Sequence, residues 1–166
     1  GGHIVAIPRD NLPVLTKPGS KEPLWTADEP WTAVTRYHSY PDAQIAVLAV
    51  GAPAYLAGNA SERASATGVH ADVYVINGFP LPTGFIDGLS TRYKKVITVE
   101  DGLIGTIDSG LRGFAALVSS ELYGSNVALD HFGIVDPQIA PSDHFFEVWK
   151  HYGITEEGIA KSICSR

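Results

Sequence analysis

The 166-residue chain has no methionine, one cysteine (Cys164) and one pair of adjacent cations, Lys94-Lys95. Each scarcity excludes something. A single cysteine forbids an internal disulfide and suits a reducing compartment. Twelve Lys and Arg residues, scattered through a chain of net charge −6, give the counterion-release term of nucleic-acid binding little to act on. Nucleic acid is therefore excluded as a partner. The longest apolar runs, such as residues 45–50, are strand-sized, whereas a membrane helix needs about 20 residues. No signal peptide is visible. These readings predict a cytoplasmic location with no membrane contact. The chain opens Gly1-Gly2-His3 and drops straight into an apolar run, which predicts an excised or processed piece carrying a tag remnant.

With 45 % apolar and 18 % charged residues, the chain has the composition of one globular domain. Residues 4–7 read as a short buried strand, and the Pro-, Lys- and Glu-rich residues 16–30 read as a linker. Beyond residue 31 strands and helices alternate. Residues 31–40 suggest an edge strand, residues 44–50 a strand buried on both faces, residues 71–76 the next strand and residues 95–99 a third central strand. A last strand is expected over residues 126–132. Leu56, Ala57, Ala60 and Ala64 fall at helical spacing, as do Leu111, Phe114, Ala115, Val118 and Leu122. Asp108 or Ser109 is the expected N-cap of that second helix. A short helix is expected over residues 83–91. Pro141-Ser142-Asp143 should open another that carries Phe145, Phe146, Trp149 and Tyr152. Thr155 should cap the final helix, with Glu156 and Glu157 in its first turn. This alternation predicts an α/β fold with a mostly parallel sheet between two helical layers.

Binding in such sheets falls at the carboxyl ends of the strands, here at Gly51-Ala52-Pro53, residues 78–82 and residues 100–110. Gly102, Gly105 and Gly110 could cradle a small anion on backbone N–H groups. The spacing fits neither the dinucleotide fingerprint nor the P-loop, and Glu100, Asp101 and Asp108 oppose an anion, so a structural turn is the other reading. Asp130, His131, Asp136, Asp143 and His144 resemble metal ligands in type. Neighbours on a strand point to opposite faces, so Asp130 and His131 are poor joint ligands, and no metal is assigned. No serine sits in a G-x-S-x-G elbow, and Cys164 lacks a positioned base. Arg9 follows the first strand at a turn. Its guanidinium could fork onto a phosphate or carboxylate, or pair with Asp10 or Glu22.

The order of these segments resembles the C-terminal domain of the transketolase-type, thiamine-diphosphate-dependent enzymes. Ile7-Pro8-Arg9-Asp10-Asn11-Leu12-Pro13 resembles the SRQNLP segment that ends their pyrimidine-binding domain, with Pro for Ser and Asp for Gln. Residues 45–51 and 73–82 are similar to two of the family's strands. Val96-Ile97-Thr98-Val99-Glu100-Asp101-Gly102 resembles the vvtvEeg strand shared by transketolases, deoxyxylulose-phosphate synthases and 2-oxoacid dehydrogenase β subunits. Phe132-Gly133-Ile134-Val135-Asp136 and Tyr152-Gly153-Ile154-Thr155 resemble the closing pattern. Asp101-Gly102 leans towards the synthase or dehydrogenase style, and the Arg9 segment towards transketolase proper.

The resemblance implies a three-layer α/β/α domain over residues 31–166, with a five-stranded mixed sheet whose first strand is antiparallel. It implies that residues 1–15 hold the tag remnant and the terminal strand of a preceding pyrimidine-binding domain, with 16–30 as linker. It implies an assembly and dimerisation domain, with regulation as a second role open to it, of an enzyme moving two-carbon ketol or acyl units between sugar phosphates or 2-oxoacids. Thiamine diphosphate and Mg²⁺ would bind the parent's preceding domains, across a homodimer, and not this fragment, which is expected to be inactive alone. Arg9 matches the arginine that touches substrate phosphate in transketolases, and no catalytic, cofactor or metal residue is expected here.

Overall fold

A computed structural model describes residues 11–106, 108–136 and 143–165. Five strands form one sheet: β1 (Val34–His38), β2 (Ile45–Val50), β3 (Ala71–Ile76), β4 (Lys95–Leu103) and β5 (Ala128–Ile134). Their spatial order is β1-β3-β2-β4-β5. β1 runs antiparallel to β3, and every other pair is parallel. This is the mixed sheet the sequence predicts, with the antiparallel strand at the edge. The helices are α1 (Ala54–Ser65), α2 (Phe85–Arg92), α3 (Gly113–Glu121), α4 (Phe145–His151) and α5 (Glu156–Cys164).

Strand periodicity divides the core in two. Val47, Ala49, Val73, Ile97 and Val99 face α1, α4 and α5, while Ala46, Leu48, Ile76 and Val96 face α2 and α3. Because side chains alternate across a strand, a strand covered on both faces must be apolar throughout. That is why residues 45–50 read as one continuous apolar run. α1 is rich in alanine and lies close to the sheet: Ala54, Ala57, Ala60 and Ala64 are buried, and Ser61 Oγ donates 2.7 Å to the Ala71 carbonyl. Gly58 allows the approach of β1, since a Cβ there would lie 2.4 Å from Tyr37 Cε1. Thr155 caps α5 as expected, its Oγ1 accepting from Gly158 N at 3.0 Å.

Residues 11–33 contain no named helix or strand but do pack on the domain. Leu12, Leu15, Leu24 and Trp25 lie against the core beneath α1 and α5, and Trp25 Nε1 donates 2.8 Å to Thr35 Oγ1.

Two ionisable residues inside the sheet, Asp72 and Lys95, each gather several partners. Asp72 is fully buried on β3, accepts from Arg36, from the Tyr93 hydroxyl at 2.5 Å and from Tyr40 N at 2.7 Å, and pairs with Arg92 at 2.8 Å. This cluster joins β1, β3 and the end of α2. Burial, then the bond to Asp72, drives the Tyr93 phenol far above its usual range. Lys95 donates from Nζ to Ser162 O (2.8 Å) and Ser165 Oγ (3.0 Å), and pairs with Asp130 at 2.8 Å. A cation thus closes the carboxyl end of α5, where free carbonyls favour it.

Removing Asp72 leaves two guanidiniums without their shared acceptor. Asp72→Ala should cost about 3 kcal/mol, the low end for a broken buried pair, because Arg36 and Arg92 keep 35 % and 40 % of their side chains in water. Urea unfolding measures this; a loss below about 1 kcal/mol would contradict the assigned role.

Candidate functional site

The chain reverses direction across the sheet between β2 and β4. After β2, α1 leads outward to β3; after β3, α2 leads back across to β4. This is the topological switch point at which open α/β sheets commonly bind ligands. Its two walls are the turn after β2 and the end of β4. Gly51 has φ +70°, a left-handed conformation that glycine adopts without strain, and a Cβ there would lie 3.7 Å from Asp101 Oδ1. A carboxylate therefore stands beside the crevice.

The sequence ends the third central strand at Val99, but β4 runs on to Leu103, with its register against β5 shifting after Val99. The extension carries Glu100 inward. This buried carboxylate accepts from Phe114 N at 3.2 Å and Ala115 N at 2.9 Å, two free N–H groups of the first turn of α3. Gly113 (φ +62°) makes room, since a Cβ there would lie 2.7 Å from Glu100 Oε2. Burial raises the Glu100 pKa, and the two N–H bonds oppose the rise.

The expected cap, Asp108 or Ser109, is thus corrected. α3 begins at Gly113, with Arg112 at the N-cap position making no side-chain cap. Ser109 Oγ instead accepts from Thr106 N at 2.9 Å and closes its own turn. Capping rules consider only neighbours in sequence, whereas here a neighbouring strand supplies the acceptor. The same bonds bear on the anion reading, because the N–H groups of Phe114 and Ala115 serve the protein's own carboxylate. A cavity of about 400 Å³ remains beside this loop, lined by Leu103, Gly105, Thr106, Ser109, Arg112 and Val135, with Asp136 also at its wall.

The five residues that resemble metal ligands in type are dispersed. Asp130 faces α5, where it accepts from Ser162 Oγ at 2.5 Å and pairs with Lys95. His131 faces α3, its Nδ1 2.8 Å from Thr98 Oγ1 and its Nε2 3.0 Å from Ser119 Oγ. Asp143 Oδ1 accepts from His144 N at 2.7 Å, and α4 starts after it at Phe145. Asp136 accepts from the Tyr152 hydroxyl through its main-chain oxygen. Among the described residues no group of three or more His, Cys, Asp and Glu could hold a metal. Cys164 is exposed, 3.7 Å from Thr67 Oγ1. Arg9 lies outside the described residues.

Sequence reasoning missed the Asp72 cluster. Its signal was one acid in an otherwise apolar strand, Ala71-Asp72-Val73-Tyr74-Val75-Ile76. A buried acid implies partners, although nothing local identifies Arg36 and Arg92.

No family model matches the chain, and no curated protein does. Solved structures do match. A structure titled split gene transketolase, inactive beta4 tetramer, superposes with a TM-score of 0.72 at 16 % identity, covering 93 % of this chain and 46 % of that one. A Campylobacter jejuni transketolase gives 0.57 at 18 % identity over 81 % of this chain and 19 % of its own. A Pichia stipitis transketolase gives 0.51 at 17 % over 80 % and 17 %. The chain spans less than half the length of these matches. The fold is that of a transketolase C-terminal-like domain: five strands, one antiparallel, between helices. Among the described residues no helix is long and apolar enough to cross a membrane.

Two predictions follow from the site's electrostatics. Glu100→Ala should destabilise the domain by about 1–3 kcal/mol, the desolvation cost of unpaired donors, and hydrogen exchange should quicken first at the Phe114 and Ala115 amides. Uniform acceleration across the sheet would deny Glu100 its local role. Burial lowers the pKa of both His38 and His131 below the ordinary 6.5. The unfolded chain then takes up protons before the folded one. Their contribution should be complete above pH 6.5 and decline as pH falls through it towards the folded values. Melting temperature should therefore drop between pH 7.5 and 5.5, and His131→Asn should flatten that slope.

Proposed function

We propose that this chain is the C-terminal assembly domain of a thiamine-diphosphate-dependent, transketolase-type enzyme. The parent moves a two-carbon ketol or acyl unit between sugar phosphates or 2-oxoacids. The observation that carries the reading is the match over 93 % of this chain to part of a split-gene transketolase. That structure's description as a tetramer of β chains supports an assembly role, and the parent would be a cytoplasmic homodimer at its minimum. Residues 31–166 form the domain, with 16–30 as the linker in front of it.

The residues at the carboxyl edge do not fit thiamine diphosphate. A diphosphate needs free donors and a cation, but two of the three free N–H groups of the first turn of α3 go to Glu100 and Asp101 stands beside the switch-point crevice. The cofactor and Mg²⁺ belong to the preceding domains, and no step of the reaction passes through this one. The fragment alone is inactive. Its one contribution to substrate is Arg9, whose fork binds the phosphate.

Calorimetric titration tests the first point. Thiamine diphosphate with Mg²⁺ should give no binding tighter than about 100 μM, some 5 kcal/mol; tighter binding to this chain alone overturns the reading. Arg9 is tested in the assembled enzyme. Arg9→Ala should lower kcat/KM for a sugar phosphate about 30- to 1000-fold, the loss of charge-assisted bonds of about 2–4 kcal/mol, and leave cofactor affinity unchanged. Arg9→Lys should recover part of it, since a point charge lacks the fork. An unchanged kcat/KM removes Arg9 from the site.

A further inference from the structure

Exposed apolar side chains gather where α3 meets the loop between β3 and α2. Phe79 is 54 % exposed and Leu117 37 %. Phe79 is held in place: its ring meets that of buried Phe114 edge-on, with centroids 5.9 Å apart. With Leu81 and Phe85 these residues line a groove of about 430 Å³, within the range of about 300–1,000 Å³ usual for binding clefts. The ionisable residues lining it are Asp87 and Glu121, and no Lys or Arg is among them. The apolar surface continues past the groove. Trp31, 70 % exposed, presses on Gly78 so closely that a Cβ there would lie 2.8 Å from its ring. One face of the indole is thus backed by main chain.

We propose that this groove docks the polypeptide carrying the parent's cofactor-binding domains, through an apolar side chain flanked by Lys or Arg. The proposal rests on the transketolase-type reading and adds a partner surface to it. Charge decides the occupant. A second copy of this chain carries a net charge of −6, and bringing it against the two carboxylates adds like-charge repulsion to the interface. A partner with cations beside its apolar anchor gains where a second copy loses. Leu117 and Glu121 sit one turn apart on α3 and share a face. A helix offering an apolar residue and a cation at the same spacing would match both at once.

The test uses this chain and the cofactor-binding polypeptide, separately purified, with affinity and association rate measured between them. Phe79→Ala and Leu117→Asp should each weaken binding about 30-fold or more, as for a central anchor. Both positions are partly exposed, and an unchanged melting temperature confirms folding. The double variant D87K/E121K should bind more slowly than wild type. Raising salt from about 50 to 500 mM should slow association of the wild type but not of the double variant. A complex unaffected by all these substitutions overturns the groove and leaves the functional reading standing. No complex with the wild-type chain overturns both. Self-association of the wild type that Phe79→Ala abolishes makes the occupant a second copy and overturns the charge argument.

Discussion

A parallel sheet covered on both faces offers no water to an ionised side chain, so each charge that enters it must find its partner within the protein. Five ionisable strand residues, Asp72, Lys95, Glu100, Asp130 and His131, find partners there and tie the sheet to its helices. Asp72 gathers Arg36 from β1 and Arg92 from α2. Lys95, with Asp130, holds the end of α5. Glu100 fixes the start of α3. His131 reaches farther along α3, where its two nitrogens lie between the hydroxyls of Thr98 and Ser119. Apolar burial supplies most of the driving force for folding. These polar pairs set where each helix lies along the strands.

The arrangement also decides what the carboxyl edge can do. In many α/β sheets that edge presents a helix N-terminus with free donors to an anionic ligand. Here β4 extends past Val99 and turns Glu100 into that position, while Asp101 stands beside the crevice next to Gly51. The first turn of α3 is thus served from within, and a second carboxylate stands at the crevice. What it offers outward is the apolar surface of Trp31, Phe79 and Leu117. A surface of that kind suits contact with another polypeptide better than capture of a phosphate.

The parts legible in the sequence were those governed by neighbours in the chain. β2 and β3 announced themselves as apolar runs, because a doubly covered strand admits few polar residues. α5 was marked by Thr155 with Glu156 and Glu157 behind it, and the edge position of β1 by its weaker apolar character. What escaped depends on residues distant in sequence. The cap of α3 comes from Glu100 across a loop, so the plausible local candidates Asp108 and Ser109 were misleading. The Asp72 cluster joins segments that meet only when β1 pairs antiparallel with β3. The supposed ligands Asp130 and His131 separate for the reason visible beforehand, the alternation of side chains along a strand.

The proposed role of this domain is to assemble an enzyme whose cofactor chemistry lies elsewhere. Ketol transfer between sugar phosphates tests it most directly, assayed with thiamine diphosphate and Mg²⁺ for this chain alone, for the cofactor-binding polypeptide alone, and for the two mixed. The account predicts no turnover from this chain, and activity in the mixture well above that of the cofactor-binding polypeptide by itself. Turnover by this chain alone, or a mixture no more active than the cofactor-binding polypeptide, would contradict it.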